Sequence, residues 1–224
     1  MDWIPFSRGH RLDPIEGGLP DAIVVLLHDL GESTDALLAV AARWAATVPT
    51  TAFVLFDGLE QFDPPAGGRQ WHVTPDPDAS AEPVLDRIAR HLEPLTAEQQ
   101  RSWQLGAGRL VLVGFRTGGT VALDLALRRG WNCAGVLAFS PKPAQPLPRL
   151  ITTGAKIRLI ESVETHNGNH AELRGVMASL TARGVDARGV LLNGSILSDE
   201  SIRYGGAYLV ELIATAQRGD RIYG

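Results

Sequence analysis

Short apolar runs alternate along the chain with longer stretches in which apolar side chains recur every three or four residues. The runs cover residues 23–27, 52–56, 110–113, 135–139, 157–160 and 189–192. Each carries apolar side chains on both faces, as a strand covered by helices on both sides must. The intervening stretches carry helical spacing. Leu37, Leu38, Ala41, Trp44, Ala45 and Val48 line one face, and Val84, Leu85, Ile88 and Leu92 another. Val121, Leu123, Leu125 and Leu127 belong to a more fully buried third. Two more carry Leu173, Val176, Met177 and Leu180, then Tyr208, Leu209, Leu212, Ile213 and Ala216. Ser198 is placed to cap the last helix, with Asp199 and Glu200 favoured in its first turn by the helix dipole. This alternation predicts an α/β fold, a mostly parallel sheet with helices on both faces. No linker divides the chain, so a single domain over 1–224 is expected. The proline-rich stretch 57–79 is read as an excursion over a site, and 141–148 as an extended loop.

Composition narrows the classes. The 224 residues hold 21 basic against 25 acidic side chains, a net charge of −4. The cations are scattered, which argues against nucleic-acid binding. The longest apolar runs, such as 22–27, fall far short of the ~20 residues of a membrane span. The opening MDWIPFSRGH has no apolar core of a signal peptide, and the one cysteine, Cys133, cannot form an internal disulfide. A cytoplasmic protein is therefore expected. His28, His72, His166 and His170 match no metal signature, so neither a metal nor another cofactor is expected. Cys133, before a strand, reads as a small buried hydrophobe.

Residues 110–127, LVLVGFRTGGTVALDLAL, carry the candidate chemistry. A strand enters Gly114, passes Phe115-Arg116-Thr117 and leaves through Gly118-Gly119 into a helix. The spacing G-x-X-x-G between strand and helix is that of a nucleophile elbow, with Arg116 at its vertex instead of serine. The vertex is strained, so a positive φ is expected at Arg116. Three other segments accompany it. HDLGES (28–33) resembles the HGLGDS-type oxyanion loop, GRQW (68–71) resembles a G-R-x-W segment, and GVLAFS (135–140) resembles a later strand ending in Ser-Gly. In this order, over roughly residues 10 to 217, the chain resembles the carboxylesterase/phospholipase branch of the α/β-hydrolases, which includes acyl-protein thioesterases.

The resemblance implies an esterase with a Ser, Asp, His triad in that chain order: a hydroxyl nucleophile, a carboxylate orienter and an imidazole base. The sequence does not supply it. No serine lies between Ser102 and Ser140, no aspartate between Asp124 and Asp186, and no histidine after His170. Matching helix to helix puts the former triad at Arg116, Thr165 and Ser195, or at Leu197 if no gap is allowed for the last. The resemblance further implies an oxyanion hole from the Leu30 and Thr117 N–H groups, with His28 bracing the loop and Trp71 and His72 lining a pocket. Thr117 is expected to turn its side chain away from that hole.

Three functions compete. The first is a non-hydrolytic pseudoenzyme that binds a small, anionic or ester-like ligand. The second is a hydrolase with relocated residues, Ser195 with His166 or His170 and with Glu161 or Glu164 as orienter, or else Thr117 or Ser140. The third is a dimeric scaffold or interaction protein. Arg116 sharpens the choice, because a cation at a helix N-terminus needs a negative answer. An internal answer would be Glu161 or Glu164. An external one would be a carboxylate or phosphate held by Arg116 and the Leu30 and Thr117 N–H groups.

Overall fold

The computed structural model describes residues 3–6, 8–62, 67–71, 82–142, 153–163 and 170–219. The six expected runs are strands, some longer than their apolar centres. They are β3 (Ala22–Leu27), β4 (Thr51–Phe56), β7 (Leu110–Phe115), β8 (Gly135–Phe139), β9 (Lys156–Val163) and β10 (Ala187–Asn193). Before them stand β1 (Ile4–Phe6) and β2 (Gly9–Leu12), and between them the two-residue strands β5 (Glu60–Gln61) and β6 (Arg69–Gln70). The main sheet runs β1-β2-β4-β3-β7-β8-β9-β10. Its pairs from β4 to β10 are parallel, whereas β1–β2 and β2–β4 are antiparallel. β5 and β6 pair separately.

Alternation along the strands builds two apolar layers. Ile23, Val25 and Leu27 face one side, where α2 (Glu82–Ser102), α3 (Thr117–Leu127) and α4 (His170–Thr181) supply Ile88, Leu125 and Leu180. Val24 and Leu26 face the other, against Leu37 and Trp44 of α1 (Asp35–Ala45) and Leu209 and Leu212 of α5 (Asp199–Gly219). The expected cap of α5 is formed, since the Ser201 N–H donates to Ser198 Oγ at 3.2 Å. Among the described residues, no helix is long and apolar enough to cross a membrane.

This architecture brings the carboxyl ends of β3, β7 and β8 side by side, where sites form in parallel sheets. The loop 28–33 leaves β3 there and the elbow leaves β7. The Arg116 N–H donates to Phe139 O at 2.7 Å, tying the elbow to the end of β8.

Candidate functional site

The elbow is built around close backbone approach. A Cβ on Gly114 would stand 2.3 Å from Gly118 C and O, and one on Gly118 would stand 2.2 Å from Leu27 O. With both positions bare, β7 and α3 meet at an acute turn, and Arg116 takes up the reversal with φ 45° and ψ −105°. The left-handed φ expected from the sequence is therefore present, on a residue that disfavours it. Its side chain is 44% exposed.

Arg116 caps α3 in position but makes no side-chain capping bond. Asp29, from the loop after β3, takes that place. Its Oδ1 accepts the Thr117 N–H at 3.2 Å and the Leu30 N–H at 2.7 Å, and also the Thr117 hydroxyl. Its Oδ2 lies 3.6 Å from Arg116 Nε. One carboxylate thus meets both amides read from the sequence as oxyanion donors and the cation beside them. It sits at a helix N-terminus, where negative charge is stabilised. The Leu30 N–H also donates to Thr117 Oγ1 at 2.8 Å, so Thr117 turns toward these amides and not away from them. The reason is local: the first helical residue carries a hydroxyl that meets the Asp29 side chain and the Leu30 N–H of the neighbouring loop.

The loop is fixed from behind. The Gly58 N–H donates to His28 Nε2 at 2.9 Å, so Nδ1 carries the ring proton and donates to Asp29 O at 2.6 Å. Burial pushes the His28 pKa down, consistent with a neutral ring in that tautomer. The Trp71 indole donates to His28 O at 2.8 Å and is itself buried. Arg69 donates to Gly58 O and Leu59 O, while its backbone pairs with Gly31 and Glu32. Gly68 lies so close to Gly31 that a Cβ would stand 1.8 Å from Gly31 O. The GRQW segment is therefore the clamp of the 28–33 loop. Glu32 completes the local charges: burial pushes its carboxyl up, the Asp29 charge adds to this, and Arg116 opposes it.

The remaining candidates stand elsewhere or serve local roles. Ser195 is exposed between β10 and α5; its hydroxyl accepts the Leu197 N–H at 3.2 Å and its carbonyl accepts the Ser201 hydroxyl. Ser140, with φ 42°, follows β8, and its hydroxyl accepts the Ser162 N–H. Glu161 is half-buried on β9, and His170 begins α4. Cys133 is buried, which pushes its thiol up to about 12 and keeps it protonated. His72, Glu164, Thr165 and His166 lie outside the described residues. Among the described residues, no group of three or more His, Cys, Asp or Glu is placed to hold a metal ion.

Because the Arg116–Asp29 pair is partly exposed, it is screened and contributes little to stability. Arg116→Ala is expected to change unfolding free energy by less than about 1 kcal/mol. Arg116→Gly, which relaxes the left-handed φ, should melt at or above the wild-type temperature. Thermal melts of the two variants check both expectations.

Residues 16–154 match the sequence pattern of the family described as Phospholipase/Carboxylesterase. The fold is similar to that of esterase PE8, with a TM-score of 0.80 and 23% identity over 92% of this chain and 98% of that one. A carboxylesterase from Mesorhizobium loti superposes with a TM-score of 0.74 at 16% identity, covering 90% of this chain and 93% of that one. For a carboxylesterase from Bacillus cereus the TM-score is 0.72 at 13% identity, with 90% and 92% covered. Since the family pattern spans more than half of its length, the chain belongs to the phospholipase/carboxylesterase family of α/β-hydrolases.

Proposed function

We propose that this chain is a non-hydrolytic, small-ligand-binding member of its family, in which Arg116 holds the place of the nucleophilic serine. The observation that carries the reading is Arg116 itself, at the positive-φ vertex between β7 and α3. A guanidinium stays protonated and has no lone pair to attack a carbonyl carbon. The sequence adds that no aspartate lies between Asp124 and Asp186 and no histidine follows His170. A hydroxyl placed at 116 would therefore lack its family base and orienter. Thr117 is no substitute. The Leu30 N–H that would stabilise an oxyanion donates to the Thr117 hydroxyl itself. What the chain retains is the clamp of His28, Arg69 and Trp71 around a loop whose Leu30 side chain stays exposed. That is machinery for holding a shape beside a small molecule.

Initial rates with p-nitrophenyl acetate and butyrate test the reading. Wild-type protein is expected to show at most a weak background rate, and Arg116→Ser alone is expected to leave it unchanged. Robust turnover that Ser195→Ala abolishes and Arg116→Ala leaves intact would contradict the reading and establish a relocated dyad.

A further inference from the structure

In HDLGES the second residue is Asp29, where the HGLGDS-type loop has glycine. The side chain this adds is directed inward, against the two amides at the elbow. Leu30 N–H and Thr117 N–H come from different elements, the loop after β3 and the first turn of α3. Both donate to the same oxygen, Asp29 Oδ1, at 2.7 and 3.2 Å. The Thr117 hydroxyl donates to it as well, and Arg116 Nε faces the second carboxylate oxygen at 3.6 Å. Such an arrangement of N–H donors and guanidinium is complementary to a carboxylate.

We infer that Asp29 is an internal plug: its carboxylate occupies the anion seat at the elbow and excludes external carboxylates and ester carbonyl oxygens from it. The inference deepens the non-hydrolytic reading and rests on it for the identity of the two amides as the former oxyanion hole. Charge acts in the same direction as occupancy. Among the described residues, the Asp29 carboxylate adds its negative charge beside Glu32 and Arg116, where an incoming anion would have to approach. The rise that the Asp29 charge causes in the Glu32 carboxyl reports this proximity. Removing the Asp29 side chain vacates the position at which Oδ1 meets the Thr117 N–H, the Thr117 hydroxyl and the Leu30 N–H, the last of which is shared with Thr117 Oγ1. The backbone tolerates the change, since Asp29 is absent from the positive-φ residues and its carbonyl stays held by His28.

The experiment is a titration of the ¹⁵N-labelled full chain with sodium butyrate, read at the Leu30 and Thr117 amide resonances. In wild-type protein these resonances are expected not to shift saturably. In Asp29→Gly both should shift and saturate, and adding Arg116→Ala should weaken that binding by about 10-fold. Asp29→Asn retains a side-chain oxygen for the two amides but not the charge, and should respond more weakly than Asp29→Gly. Asp29→Ala, run in parallel, serves if glycine loosens the loop. Saturable binding of butyrate to the wild-type seat would overturn the inference. So would a folded Asp29→Gly or Asp29→Ala protein with no response, or an Asp29→Asn response equal to that of Asp29→Gly. These amide shifts are read without any turnover, so failure of the plug is distinguished from failure of the non-hydrolytic reading, which the ester assay reports.

Discussion

Gly118→Ala is expected to destabilise the protein by about 3 kcal/mol or more, at the upper end of what overpacking costs. The added Cβ would stand 2.2 Å from Leu27 O and 2.6 Å from His28 O. Both are backbone atoms at the end of a central strand, so no side chain can rotate to make room. Relief would require α3 to lift from β3, which would also part the Thr117 N–H from Asp29. For a chain of this length the melting temperature should fall by roughly 6–12 °C. Gly106→Ala is the control. Its φ is −67° and a Cβ there meets nothing within 4 Å, so it should be neutral or slightly stabilising. Equal melting temperatures for the two variants would mean that the elbow is looser than described.

The second large effect belongs to Arg158, a fully buried cation on β9. Its Nη2 donates to Glu211 Oε1 at 2.6 Å, and its Nη1 donates to Asp186 Oδ1 at 3.0 Å and to Ile157 O at 2.9 Å. The pairs tie α5 and the loop before β10 to the sheet. Removing both carboxylates, Asp186→Ala with Glu211→Ala, leaves a buried guanidinium facing carbonyls alone and should cost about 3–5 kcal/mol. Adding Arg158→Met removes the uncompensated charge and should recover most of that loss. Additive melts in the triple variant would contradict this account. The same pairs set an acid limit. Hydrogen bonds from Arg158 hold the Asp186 and Glu211 carboxyls below their ordinary values of 3.8 and 4.5. Folded pKa values below unfolded ones mean that stability is fully present above those values and is lost as pH falls through the lowered range. The share of Asp186 is reduced by solvent, since its side chain is 45% exposed. Denaturant midpoints between pH 6 and pH 3 should therefore fall less in the triple variant than in wild type.

The inner strands were legible because β3, β4, β7 and β8 are buried on both faces, and a run such as AIVVLL at 22–27 has few other uses in a chain with helical spacing around it. The hairpin of β1 and β2 was not. Ile4–Phe6 contains Pro5, Gly9–Leu12 contains His10 and Arg11, and neither shows a two-residue alternation of apolar side chains. Backbone pairing with the edge of β4 organises them, and side-chain pattern carries no record of it. Arg158 was hidden for the opposite reason, a charge inside an apolar strand whose partners lie at sequence separations of 28 and 53 residues.

At the site, the elbow and its positive φ could be read from two glycines and a strand-to-helix switch. The answer to the Arg116 charge could not be placed as readily, because expectation followed Glu161 and Glu164, at and beyond the end of β9. Among the described residues, Asp29 meets Arg116 from a loop 87 residues earlier in the chain, while Glu164 lies outside the described residues. The signal was present in HDLGES, where an aspartate stands in the glycine position of a quoted motif. Its meaning depends on the start of α3 lying against the end of β3, where Gly118 packs closely on Leu27.

The most direct measurement of the central claim is the intact mass of the protein after exposure to an excess of a fluorophosphonate. A non-hydrolytic site with Arg116 at the elbow should leave the mass unchanged while an active esterase treated alongside gains one adduct. A stoichiometric adduct that maps to Ser195, Thr117 or Ser140 would contradict the account.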